Sequence, residues 1–183
     1  MKKLGKIGVL ICMISVLAMA LTGCEFGMKK EQRTEINKEN VDEYTEYVHS
    51  SGIKFSYPSE WQNLSTSDEK PVFGDTSTGT SVNYLSETVA KTFNIDTYMT
   101  AAIENVKKEM EVVGDIEEQK VKLNGKDASI IKYTVTQSGT NVVIKQACFL
   151  GDGSAHILTV ASLEDNYEEQ AGTMDNIISS FTK

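Results

Sequence analysis

Apolar positions alternate with polar ones from Ile53 to Tyr57, recur about every 3.6 residues from Asn94 to Val113, fall in four turn-punctuated strand-like runs to Ser162, and return at helical spacing to the end. Ile53, Phe55 and Tyr57 alternate with Lys54 and Ser56, the signature of a strand with one buried face. Ser50-Ser51-Gly52 turns the chain back from a partner strand over Thr45–His49; a short helix over Val41–Tyr47 is the alternative for this entry. Pro58 ends the hairpin because it has no amide hydrogen for the ladder, and Trp61 follows closely enough to fold over the apolar face. From Asn63 to Gly79 the chain is polar and turn-rich, with a short apolar patch at Val72-Phe73. Ser81–Glu87 predicts a further strand.

Ile95, Tyr98, Met99, Ala102, Ile103, Val106, Met110 and Val113 form one stripe of an amphipathic helix. Asn94 or Asp96 can cap it, Gly114 can end it, and Glu104 and Lys108 form an i,i+4 pair on its wet face. Four strands follow: Ile116–Leu123, Lys126–Gln137, Asn141–Leu150 and Ser154–Ser162. The turns between them are Asn124-Gly125, Ser138-Gly139 and Asp152-Gly153, pairs that tolerate positive φ at both positions, so an antiparallel meander is predicted. In the last strand Ile157 and Ala161 lie on one face and Leu158 and Val160 on the other, as expected where both faces of a sheet are covered. The second cover is a C-terminal helix carrying Tyr167, Ala171, Met174, Ile177, Ile178 and Phe181, with Ser162 and Asp165 placed as a capping box. The expected class is α+β: an antiparallel sheet of about six to seven strands, including the four-strand meander, between two main helices.

The N-terminus carries an address. Lys2, Lys3 and Lys6 precede an apolar run from Ile7 to Leu21, short of the roughly 20 residues of a spanning helix and flanked like a secretory signal. Leu21-Thr22-Gly23-Cys24 then resembles the bacterial lipobox. That resemblance implies cleavage between Gly23 and Cys24 and a diacylglyceryl group on the Cys24 thiol, giving a palmitate-type membrane anchor. Residues 1–23 are thus read as a lipoprotein signal peptide, 24–43 as a lipidated N-terminus and tether, and 44–183 as one folded domain. The stretch Glu25–Glu43 is polar and without period; as a flexible coil it reaches roughly 25 Å, and at most about 65 Å when extended.

Composition narrows the chemistry. The formal net charge is −8, and loss of the three signal lysines makes it more negative. Such a balance argues against nucleic acid, whose binding rests on Lys and Arg neutralising phosphates. Of three cysteines, Cys12 leaves with the signal and Cys24 is alkylated, so Cys148 stands alone in an apolar run and reads as a buried, inert thiol. His49 and His156 have no Cys, His or carboxylate at metal-ligand spacing. Gly151-Asp152-Gly153 is explained by a hairpin turn, and the acidic group Glu164, Asp165, Glu168 and Glu169 by a helix N-terminus. Trp61 and the tyrosines read as packing groups before they read as a ligand surface. No phosphate loop, nucleophile elbow or zinc-protease helix is present, so no catalytic, metal or cofactor residue is assigned.

An opening hairpin ending Phe55-Ser-Tyr-Pro-Ser-Glu-Trp61, a helix, a four-strand meander and a closing helix ending Ile177-Ile-Ser-Ser-Phe181 together resemble the PsbP-like family. That family is related in fold to the photosystem subunit PsbP and to Mog-type Ran-binding proteins, and its bacterial members are often lipoproteins. The resemblance spans Tyr44 to Lys183 and implies a helix-clad antiparallel sheet and an accessory, assembly or binding role; it carries over no functional residue. The expectation is a non-enzymatic domain anchored on the extracytoplasmic face of the cell membrane, binding a membrane or envelope protein partner. A receptor for a small ligand or divalent cation is the alternative, and an enzyme with an unobvious site the third reading.

Overall fold

The computed structural model describes residues 43–68, 70–90 and 92–183. The predicted signal, with Gly23 and Cys24, and the tether up to residue 42 lie outside them. The described elements run β1 (Tyr44–Val48), β2 (Lys54–Pro58), β3 (Gln62–Asn63), β4 (Val72–Asp75), β5 (Thr80–Thr88), α1 (Ile95–Glu109), β6 (Val112–Leu123), β7 (Lys126–Gln137), β8 (Thr140–Gly151), β9 (Ser154–Leu163), a 3-10 turn (Glu164–Asn166) and α2 (Tyr167–Ser180). Seven strands form one antiparallel sheet in the order β3-β4-β5-β9-β8-β7-β6, while β1 and β2 form a separate two-stranded sheet that a single bridge from Lys54 ties to Thr182. This is the expected α+β layering. Among the described residues no helix is long and apolar enough to cross a membrane.

The meander turns form as their sequences require. Asn124 and Gly125, Ser138 and Gly139, and Asp152 and Gly153 all have positive φ, the twist that lets two strands continue without splaying. Register is unbroken beside each turn, from Leu123 opposite Lys126 to Gly151 opposite Ser154, and shifts only at the far end of β6.

Registers sort the side chains onto two faces, each with its own core. Val82, Tyr84, Ala128, Ala147, Phe149, Leu158 and Val160 face α2 and the β1–β2 hairpin, which contribute Met174, Ile177, Ile178, Phe181, Ile53 and Phe55; Trp61 closes this layer as expected. Ile131, Tyr133, Val135, Val142, Ile144, Cys148, Ala155 and Ala161 face α1 through its Tyr98, Met99 and Val106. Both alternating sets of β9 are therefore buried.

Several boundaries differ from the sequence expectation. Among the described residues the chain opens as strand β1 from Tyr44, as the hairpin reading expects, and the alternative helix is not seen at Tyr44–Tyr47. The Val72-Phe73 patch is part of strand β4, paired to β5 opposite Asn83 and Val82. Helix α1 stops at Glu109, Met110 being extended, and β6 starts at Val112. Val112 and Val113, β-branched, pair with Val135 and Thr134, so the ladder outcompetes the helical stripe and leaves Val113 43% exposed. Gly114 does not end the helix; it has φ +75° in the bulge between Val113 and Glu117. Asn94 does cap α1, in a reciprocal box with Thr97. On the wet face Lys108 pairs with Glu109 at 2.8 Å. The Ser162–Asp165 capping box does not form, because Ser162 belongs to β9 and its hydroxyl lies 3.1 Å from that of Thr80. Asn166 precedes α2 without a side-chain cap and donates to the Thr78 carbonyl instead.

Candidate functional site

The two histidines, far apart in sequence, meet around one tyrosine. β9 places His156 opposite Phe149 and Ser86, on the same face as Tyr84. Tyr84 Oη lies 2.8 Å from His156 Nδ1. The turn after β1 brings His49 edge-on to the Tyr84 ring, with centroids 4.9 Å apart. Ser51 Oγ lies 2.7 Å from His49 Nδ1 and 3.5 Å from Tyr84 Oη, so polar atoms run from the hairpin turn into the sheet. His156 is only 3% exposed, and its Nε2 lies against the Gly151 backbone without reaching hydrogen-bond geometry. Burial, and then the nearby positive charge of Lys183, holds its imidazole below the ordinary histidine value. The ring is therefore neutral at pH 7, a polar link between hairpin and sheet.

The α1 face carries a second polar group. Tyr98 Oη donates to Glu87 Oε1, while Glu87 Oε2 is buried without a hydrogen-bond partner. Cys148 is near both and is buried, which pushes its thiol well above the ordinary range. It stays protonated, as an inert core thiol does. Burial likewise raises Tyr98, so the phenol and the Cys148 thiol both hold their protons at physiological pH. One row away, Gln146 Nε2 donates to Thr159 Oγ1 at 3.0 Å, and the adjacent Asn83 keeps a buried, unpartnered Oδ1.

The acidic group from the sequence is split by the fold. Glu164 and Asp165 lie in the 3-10 turn, and Glu168 and Glu169 in the first turn of α2. With Gly139, Thr140, Asn141 and Leu163, the first two line a hollow of about 330 Å³ at one end of the sheet. Glu164 Oε2 accepts a hydrogen bond from Asn141 Nδ2 at 2.9 Å, which occupies one of its oxygens. Among the described residues no three His, Cys, Asp or Glu side chains are grouped to hold a metal ion.

Sequence reasoning singled out His49 and His156 but not Tyr84, Ser51, Glu87 or Tyr98. Their juxtaposition depends on the β5–β9 register and on how the first hairpin lies on the sheet. No spacing along the chain encodes either.

The fold is shared with solved structures of low sequence identity. The solution structure of cyanobacterial PsbP from Synechocystis sp. PCC 6803 matches with a TM-score of 0.54 at 14% identity, over 81% of this chain and 97% of that one. LpqN of Mycobacterium tuberculosis, described as involved in cell envelope biogenesis, matches with 0.55 at 15% identity over 76% and 89%. The Saccharomyces cerevisiae Ran-binding protein Mog1p matches with 0.51 at 11% identity over 76% and 94%. No curated protein matches this chain in sequence. The family profile described as PsbP-like protein matches residues 7–182, nearly the whole sequence, and the chain belongs to that family.

Proposed function

We propose that this protein is a lipid-anchored accessory domain on the extracytoplasmic face of the membrane, binding a membrane or envelope protein without catalysing a reaction. The observation that carries the reading is Leu21-Thr22-Gly23-Cys24 at the end of a basic-then-apolar leader. Two or more acyl chains at Cys24, each contributing roughly 0.8 kcal/mol per buried methylene, give stable anchoring. A polar tether then confines the domain to a thin shell above the bilayer and raises its effective concentration for neighbouring proteins. The similarity in fold to LpqN, a protein described as involved in cell envelope biogenesis, supports an envelope role.

Mass spectrometry of the protein extracted from washed membranes is expected to find Cys24 as a diacylglyceryl-modified N-terminus, and Cys24→Ala is expected to give uncleaved precursor or released protein. An unacylated cytosolic chain overturns the anchor. Cross-linking in intact membranes is expected to capture a partner that Cys24→Ala loses; repeated capture of nothing overturns the accessory role.

A further inference from the structure

Strand β6 is one edge of the sheet, and its regular stretch is a long one. Among the described residues it pairs only with β7, whereas the opposite edge, β3, is two residues long. Beyond the bulge, Glu117 to Leu123 run in unbroken register with β7. Glu117, Glu118, Gln119, Lys120 and Lys122 are exposed, and no proline interrupts the strand. A strand of this kind presents a row of backbone groups that another antiparallel strand can satisfy.

Symmetry limits what a second copy could do there. Two antiparallel copies of one strand are related by a two-fold axis normal to the sheet, so one residue faces itself across the axis and its neighbours pair reciprocally. Centring on Glu117, Glu118, Lys120 or Lys122 places like charges face to face, and centring on Val121 sets Lys120 opposite Lys122. Centring on Gln119 avoids every such clash. It sets Glu118 opposite the partner's Lys120 and Lys120 opposite the partner's Glu118, with the two Gln119 amides facing each other and Glu117 opposite Val121 on the other face. Opposite charges placed directly across an antiparallel pair are favourable, and like charges there are unfavourable. Within the single chain Lys120 pairs with Asp96 at 2.7 Å, Glu118 accepts from Ser129 at 2.8 Å, and Glu117 pairs with Lys132 at 3.1 Å.

The same axis preserves the faces of the sheet. The β1–β2 hairpin, where the described chain begins, packs on the α2 face, so both copies present their chain starts on the same side of the joined sheet. Two molecules anchored in one membrane can therefore pair this way without either tether crossing the sheet. This last point rests on the proposed anchor; the charge register does not.

We propose that β6 is a homotypic docking edge, through which a second copy of this chain adds antiparallel in the register centred on Gln119, joining two seven-stranded sheets into one. The occupant is a second copy because the Glu118–Lys120 pattern complements itself in the register centred on Gln119 and conflicts in the five others centred between Glu117 and Lys122. Confinement to the membrane surface favours so small an interface.

The test uses the full chain in membranes of cells that express it. Gln119→Cys places a thiol on the axis and is expected to give a disulfide-linked species of doubled mass under mild oxidation. The native chain, and Lys107→Cys on the exposed face of α1, serve as controls. On the Gln119→Cys background, Glu118→Lys or Lys120→Glu alone should lower that yield by about tenfold, because each changes two symmetric pairs from opposite to like charge. The double exchange Glu118→Lys with Lys120→Glu should restore it. Equal cross-linking at Lys107→Cys and Gln119→Cys overturns the proposal, as does failure of the double exchange to recover the yield. A cross-linked band to a different protein with none of doubled mass also overturns it. Acylation of Cys24, read by mass on the same samples, separates failure of the edge from failure of the anchor.

Discussion

Phe181 joins the C-terminus to everything around it. It is fully buried, its ring sits 4.9 Å from Phe149 and 6.3 Å from Tyr84, and its carbonyl accepts from Asn124 Nδ2 at 3.0 Å. Phe181→Ala removes a large side chain from a site that backbone bonds between Thr182 and Lys54 hold from collapsing, so a loss of about 3–5 kcal/mol is expected in urea unfolding. His156, two ring contacts away, makes stability depend on pH. Burial between Tyr84 and Phe149 opposes its protonation most, Lys183 next and Lys126 least, while Asp152 favours it less strongly than Lys183 opposes it. The unfolded imidazole titrates near pH 6.5 and the folded one lower, so over that interval the unfolded chain binds more protons and stability rises with pH. The contribution is complete above about pH 6.5 and is lost as pH falls towards the folded value. His156→Asn, which keeps a polar group beside Tyr84 Oη, should flatten the urea midpoint between pH 7.5 and 5 relative to the native chain. An unchanged slope would show that other groups carry the acid sensitivity.

At the scale of elements, the sequence was most legible where one local conformation suffices. Asn124-Gly125, Ser138-Gly139 and Asp152-Gly153 each demand positive φ at both positions, and each makes the hairpin it announces. Helix α1 was legible in its stripe and its Asn94 cap but not in its end, because Val113 continues the helical stripe and suits a strand equally well and the partner strand β7 decides. Strands β3 and β4 were hidden by their brevity and polar surroundings. The Tyr84 network was illegible altogether: it exists only once a hairpin, a central strand and β9 are stacked. Asn94→Ala should cost about 1 kcal/mol by removing the Oδ1 that accepts from the Thr97 N–H, while the bond from the residue-94 backbone N–H to Thr97 Oγ1 can remain; the loss is read as a lower thermal midpoint. Gly79 is more demanding. Its φ of +67° disfavours any side chain, and an added Cβ would stand 2.9 Å from Leu163. Gly79→Ala is expected to destabilise by about 1–3 kcal/mol in the same measurement, strain and crowding acting together.

On the scale of the whole molecule, one sheet supplies the floor of both cores, and this has a consequence for unfolding. β8 gives Ala147 and Phe149 to the α2 side and Val142, Ile144 and Cys148 to the α1 side; β9 divides in the same way. Neither helix can lose its core without exposing strands that the other still needs. The described domain is therefore expected to melt in a single transition, with calorimetric and van't Hoff enthalpies equal. Met99→Ala on α1 and Ile177→Ala on α2 each empty a nearly or fully buried site and should each cost about 2–5 kcal/mol. The two sites lie on opposite faces of the sheet and share no core cluster, so the double variant should lose the sum of the two within about 0.5 kcal/mol while still melting in one step. Two separate transitions in the double variant would mean that each face folds with its own helix, and that the sheet does not couple them.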